Sequence, residues 1–179
     1  MEHDILKVYF SEQEIQSKVR ELGAAISRDY AGKNPLIVSV LKGSFIFMAD
    51  LARSITIPCA FDFMAVSSYG AGTKTSGEVK IIKDLDKELS GRHLILVEDI
   101  LDSGVTLSYL MELLKARDPE SLALCTLLDK PARRKREICV QYKGFEVPDE
   151  FIVGYGLDYA ERYRNLPYIG VLKPEIYNK

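Results

Sequence analysis

Histidine is nearly absent from this 179-residue chain, His3 and His93 being the whole supply. Two imidazoles leave little room for a histidine metal cluster or a Ser-His triad. Cysteine is scarce too. Cys59, Cys125 and Cys139 are odd in number, lie in or beside apolar runs and form no Cys-x-x-Cys pair, so they are expected as buried, reduced thiols. No stretch approaches the roughly eighteen apolar residues of a membrane helix, and MEHDILKVYF places no basic region ahead of an apolar core. Neither a membrane partner nor a secretion signal is therefore expected, and a cytoplasmic address follows. The net charge of −2 supplies no basic field, so no nucleic-acid partner is expected. Repeats, linkers and composition shifts are also missing, and 47% hydrophobic content suits one domain over residues 1–179 with a substantial core.

What is present is organised around Leu94 to Leu114. Leu94, Ile95, Leu96 and Val97 form the continuous apolar run of a strand buried on both faces. Glu98 and Asp99 follow, then Asp102, Ser103, Gly104 and Thr106, before Leu107, Leu110 and Leu114 recur at helical spacing. The expected order is strand, acidic end, tight loop, helix. Backbone N–H groups at a helix N-terminus favour a phosphate, and Ser103 and Thr106 add hydroxyl donors. The loop lacks Gly-x-x-x-x-Gly-Lys and Gly-x-Gly-x-x-Gly, so it suits a monophosphate and neither a triphosphate nor a dinucleotide. Two carboxylates beside it would repel a polyphosphate unless they face sugar hydroxyls or a divalent cation.

Further strands and helices flank this segment. Ser11 and Glu14 form a capping box, and Ile15, Val19, Leu22 and Ile26 predict an amphipathic helix ending near Gly32. Leu36–Leu41 repeats the buried-strand pattern, stops at Lys42-Gly43-Ser44 and enters an apolar helix from Phe45 to Ile55. Cys59–Ser67 predicts a strand, residues 68–77 a glycine- and serine-rich loop suited to a flexible lid, and Glu78–Lys83 the returning strand. Arg117-Asp118-Pro119 ends the central helix, and Ser121–Leu128 predicts another parallel strand, ending at Asp129-Lys130-Pro131. Arg133–Arg136 reads as a solvated basic loop. Phe151–Tyr155 and Tyr168–Leu172 predict the last strands.

The apolar strand, acidic pair, two apolar residues and Asp102-Ser103-Gly104 with Thr106 resemble the signature of the purine phosphoribosyltransferase family, type I. The resemblance runs from Leu41 through Arg164. It implies an α/β fold: a mainly parallel twisted sheet flanked by helices, with a small purine-binding hood and a flexible lid. It also implies transfer of the phosphoribosyl group from phosphoribosyl pyrophosphate to hypoxanthine or guanine, with release of pyrophosphate. Glu98, Asp99, Asp102, Ser103, Gly104, Val105 and Thr106 would then bind the ribose 5-phosphate, with Asp102 as the base that takes a proton from the purine. Lys42, Gly43 and Arg164 would hold pyrophosphate, with a Leu41–Lys42 peptide that can be cis. Lys130 would meet the oxygen of a 6-oxopurine, Phe151 would stack on the ring, and Ile152 and Asp158 would serve its edge. Ser68 and Tyr69 match the lid pair. Magnesium is the implied cofactor, held by Glu98, Asp99 and Asp158, and a homodimer or homotetramer the implied assembly. Two alternatives stand beside this reading: a xanthine-preferring transferase, since Lys130 alone leaves the purine two-position open, and a regulatory protein that uses the same fold to sense nucleotides or bind RNA.

Overall fold

A computed structural model describes residues 1–68 and 79–178. The expected lid falls outside them: nothing is described of Tyr69 through Glu78, and only the backbone of Ser68, at the end of a strand, is included.

The continuous apolar runs become the central strands of a six-stranded sheet. Its strands are β2 (Leu36–Leu41), β3 (Ala60–Ser68), β4 (Val79–Lys83), β5 (His93–Leu101), β6 (Ser121–Asp129) and β7 (Tyr142–Glu146), in the order β4-β3-β2-β5-β6-β7. All neighbours pair in parallel except β3 and β4, which are antiparallel. Helices cover both faces, which is why β5 carries only apolar residues between His93 and Glu98. On one face, α1 (Glu12–Asp29) and α2 (Phe45–Ser54) pack with Ile37, Ile95 and Val97. On the other, α3 (Val105–Lys115) sends Leu107, Leu110 and Leu114 against Val38, Leu94 and Leu96. The strand period of two thus sends Leu94 and Leu96 to one core and Ile95 and Val97 to the other.

The capping box forms as expected: Ser11 Oγ accepts from the Glu14 amide at 3.3 Å, and the Ser11 amide donates to Glu14 Oε2 at 2.8 Å. The helix stops at Asp29, short of Gly32, because Tyr30 leaves helical backbone at φ −109°. Strand β5 runs on through the acidic pair to Leu101, held by register pairing with β6 as far as Leu101 opposite Asp129. The carboxylates therefore sit within the strand and not after it.

A second sheet of three antiparallel strands, order β1-β9-β8, forms the hood from β1 (Ile5–Phe10), β8 (Ile152–Val153) and β9 (Ile169–Leu172). It shares the α1/α2 core through Ile152, Ile169 and Val171, while Val153 and Leu172 face a smaller cluster with Tyr163 and Leu166. The strand expected over Phe151–Tyr155 shrinks to two residues, because Gly154 (φ 99°) and Tyr155 (φ 51°) turn the chain into left-handed backbone. A side chain at Gly154 would put its Cβ 2.1 Å from the Tyr168 carbonyl oxygen. The C-terminal turn α4 (Pro174–Tyr177) lies against this hood cluster through Ile176 and Tyr177. Of the cysteines, Cys125 is buried and Cys59 half-buried, but Cys139 is exposed, against expectation. Its segment precedes β7, which lies at the sheet edge. Among the described residues no helix is long and apolar enough to cross a membrane.

Candidate active site

Strands β2 and β5 are neighbours, but from them the chain proceeds in opposite directions across the sheet, to β3 on one side and β6 on the other. The crevice outside their C-terminal ends is where ligands of open α/β sheets bind. The ends of β2, β5 and β6 deliver Lys42-Gly43, Glu98 to Thr106, and Lys130 to that edge.

After Leu101 the chain turns through Asp102 and Ser103 into Gly104, whose φ of 78° opens α3. Glycine is required there twice over, since a Cβ would also stand 2.6 Å from the Arg136 carbonyl oxygen. Ser103 turns its hydroxyl back to accept from the Val105 amide at 3.3 Å, and its carbonyl accepts from the Lys135 and Arg136 amides at 2.8 and 3.2 Å. Among the described residues the amides of Ser103 and Gly104 have no acceptor. They edge a cavity of about 150 Å³ whose wall includes Glu98, Asp102 and Thr106. Free amides at the start of a helix make an anion cradle.

Alternation along β5 separates the acidic pair. Glu98 lines the cradle. Asp99 instead lies over the loop after β2, where a Cβ on Gly43 would sit 1.9 Å from Asp99 Oδ2. Asp99 Oδ1 accepts from the Ile100 amide at 2.8 Å. Burial raises both carboxyls, and each has a neighbouring carboxylate that adds to the rise: Asp99 beside Glu98, and Asp158 beside Asp99. Glu98 goes well above the usual carboxylate range, and Asp99 is pushed up to about 6. Two carboxyls on alternate faces of the strand end offer oxygen acceptors to a divalent cation or to sugar hydroxyls.

The Leu41–Lys42 peptide is cis, as the family resemblance implied. Gly43 packs so tightly that its carbonyl oxygen would lie 2.0 Å from a Cβ on Gly156. Arg164 then closes this corner, its Nη1 donating to the Gly156 carbonyl at 2.8 Å and its Nη2 standing 2.9 Å from Asp158 Oδ1. The Glu161 carboxylate lies 3.5 Å from both Lys42 Nζ and Arg164 Nη2. Lys42, Gly43, Asp99, Asp158 and Arg164 are thus brought together, with Glu161 as an acidic neighbour that the sequence did not single out.

A second cavity, of about 290 Å³, shares Ile100 and Asp102 with the cradle and continues to Lys130, Phe151, Ile152 and Asp158. Lys130 is only 6% exposed, and its Nζ donates to the Glu150 carbonyl at 2.9 Å. Asp102 stands where the two cavities join. Its Oδ1 is buried without a hydrogen-bond partner, and its Oδ2 lies 3.9 Å from Arg133.

The basic run is solvated at Arg133, Lys135 and Arg136 but not at Arg134. Arg134 is nearly buried, bonds the Asp129 carboxylate and donates to the Asp102 carbonyl at 3.2 Å, while Arg133 pairs with Asp149 at 2.7 Å on the cavity wall. The run folds back because Asp129, buried at the end of β6, needs a cation. Other contributors were not signalled in the sequence: Ile100 and Leu157 on the apolar walls, and Tyr177 from the C-terminal turn. Each looks like ordinary core or surface until distant segments meet.

Magnesium is tested by the chemistry of the donors. Among the described residues no group of three or more His, Cys, Asp or Glu is gathered closely enough to hold an ion. Glu98, Asp99 and Asp158 nevertheless present hard oxygen donors, and magnesium usually takes one or two carboxylates and completes its shell with water and substrate phosphates. The residues fit an ion that arrives with its phosphates.

Residues 7–160 match the phosphoribosyl transferase domain family. The chain is 60% identical over 177 residues to the hypoxanthine-guanine phosphoribosyltransferase of Bacillus subtilis, covering 99% of this chain and 98% of that one. It is equally 60% identical over 179 residues to the bifunctional protein TilS/HprT of Listeria monocytogenes, but spans only 28% of that protein's length. A crystal structure of a hypoxanthine phosphoribosyltransferase from Staphylococcus aureus superimposes with a TM-score of 0.97 at 51% identity, covering 100% of this chain and 97% of that one.

Proposed function

Because the chain belongs to the phosphoribosyltransferase family, we propose that it transfers the 5-phosphoribosyl group of phosphoribosyl pyrophosphate to hypoxanthine or guanine, yielding the purine mononucleotide and pyrophosphate. The observation that carries this reading is Asp102 Oδ1, buried and unpartnered where the anion cradle opens into the lysine- and phenylalanine-lined cavity. A base placed between Ile100 and Phe151 presents a ring nitrogen to that oxygen, and a phosphate in the cradle fixes the sugar beside it.

Residues 1–179 act in this reading as a single transferase domain. Displacement at the anomeric carbon has three requirements, and each falls to named side chains. The two reactants must be oriented, which the cradle amides, Thr106 and the apolar walls do; such positioning corresponds to effective molarities that reach about 10⁵–10⁸ M. The purine must lose a proton, which Asp102 accepts, for about 10²–10⁴. The leaving pyrophosphate must be received, and Lys42, the Gly43 backbone and Arg164 form its corner, the guanidinium offering a planar fork of donors. Glu98, Asp99 and Asp158 would hold magnesium, whose charge, when bound, neutralises the leaving group. Lys130 donates to the six-oxygen of the base with a second ammonium hydrogen, while keeping its bond to the Glu150 carbonyl. Acidic Asp158, Asp149 and Glu150 line the same cavity and suit the two-amino group of guanine better than the two-oxo group of xanthine. Ser68 and Tyr69 belong to the lid that excludes water from the activated sugar.

Exposed Phe61, Phe63 and Ile82 near the sheet edge support a homodimer or homotetramer, which sedimentation would test. The activity is tested by supplying magnesium and phosphoribosyl pyrophosphate with hypoxanthine, guanine or xanthine in turn and following nucleotide formation. Turnover of the first two and poor use of xanthine are expected. No turnover, with salt-sensitive binding of RNA instead, would replace the enzyme by a regulatory binder.

A further inference from the structure

Phe151 is 37% exposed although it directly precedes the buried strand β8. Its ring is in contact with two others. The Tyr177 ring lies across one of its faces, with centroids 4.6 Å apart and planes at 19°, and the Tyr159 ring meets it edge-on at 5.5 Å and 89°. Tyr177 is itself anchored from behind, packing on the hood cluster of Val153, Tyr163 and Leu166 while also lining the base cavity. The backbone around it is tied down too. The Leu172 amide donates to the Phe151 carbonyl at 2.8 Å and the Lys173 amide to the Asp4 carbonyl at 2.9 Å, which seats α4 against both ends of the hood.

We infer that Tyr177 is a positioning residue for the base: it backs the Phe151 ring so that purine, Phe151 and Tyr177 form one three-ring stack. The inference rests on the reading of Phe151 as the base platform and extends it to the C-terminal turn. Its physical cause is preorganisation. A half-exposed ring without a backing must give up its freedom when the base arrives, whereas a ring held at stacking distance has already done so. Tyr177 touches neither reacting atom nor phosphate, so its effect falls on base binding alone.

The test is a set of substitutions in the full-length protein. Tyr177→Ala is expected to raise KM for hypoxanthine and guanine about three- to tenfold, with KM for phosphoribosyl pyrophosphate unchanged and kcat within about twofold. Tyr177→Phe, which keeps the ring, is expected to restore the parent values. The chain has no tryptophan, so Tyr177→Trp installs a single indole fluorophore beside Phe151. Its emission is expected to change with GMP and not with pyrophosphate alone. Parallel rises in both KM values, no change in either, or an indole blind to GMP would overturn the inference. Phe151→Ala separates the two levels: if it raises purine KM while Tyr177→Ala does not, only the role of Tyr177 falls. If it leaves purine KM unchanged, the platform reading falls first.

Discussion

The phosphate cradle and the base pocket share Asp102 and Ile100, yet they are built in opposite ways. The cradle comes from one unbroken segment, the end of β5, a three-residue turn and the first turn of α3, braced from outside by the Lys135 and Arg136 amides. The base pocket is assembled from Ile100, Lys130, Phe151, Leu157 and Tyr177, which span more than a third of the chain. A local cradle binds through backbone amides, so what it needs is conformation. A long-range pocket binds through side chains, so what it needs is packing. In the proposed function, catalysis falls mainly to the first and base selection to the second.

That contrast is sharpest at Asp102, the shared residue. Asp102→Asn keeps shape and removes the proton acceptor, so kcat should fall a few hundredfold while GMP binding persists, as steady-state kinetics and calorimetry would show. A comparable loss in GMP affinity would mean that the carboxylate holds the ligand instead of the proton. Next in size is Gly43→Ala. Its Cβ would displace the Asp99 carboxylate, with which it would collide at 1.9 Å, and misplacing the pyrophosphate corner by that order should lower kcat/KM for phosphoribosyl pyrophosphate about a hundredfold. The purine KM should move little, and an effect confined to the purine would erase the division between the two regions.

Lys130→Met probes the other side. It removes the charged donor to the six-oxygen and leaves the Glu150 carbonyl without its partner, so KM for both oxopurines should rise about ten- to a hundredfold. KM for phosphoribosyl pyrophosphate should stay put. The smallest effect is one of stability in the hood. The Tyr163 hydroxyl donates to Asp4 Oδ2 at 2.8 Å and is the chief reason that this carboxyl titrates below its ordinary 3.8. A lowered acid favours the fold when ionised, so the contribution is complete above pH 3.8 and is lost as pH falls through the lower native value. Tyr163→Phe should therefore lower the urea midpoint slightly at pH 7 and by less at a pH below 3.8, as Asp4 takes up its proton. An equal difference at both pH values would assign the effect to packing.

The cradle was legible because its signal is local. Four apolar residues, two carboxylates and Asp-Ser-Gly-x-Thr state a strand, a turn and a helix start without reference to the rest of the chain. The buried strands at Leu36 and Ser121 and the capped helix at Ser11 were legible for the same reason, as hydrophobic period and capping chemistry are read within a few residues. β1 and β7 were not. ILKVYF and YKGFE are half-buried only at scattered positions on short edge strands, and no period separates them from loops. Arg134 looked like surface charge because the buried Asp129 that needs it lies at the end of a strand that otherwise reads as apolar.

The sequence by itself determined where the anion cradle lies, since turn geometry, a left-handed glycine and helix-end amides are properties of consecutive residues. Only the tertiary structure decided which rings and charges surround the base. Whether Tyr177 reaches Phe151, Arg133 reaches Asp149 or Glu161 reaches Lys42 depends on how the hood docks on the sheet, and that docking is set by apolar contacts between segments far apart in the chain, which no local pattern records.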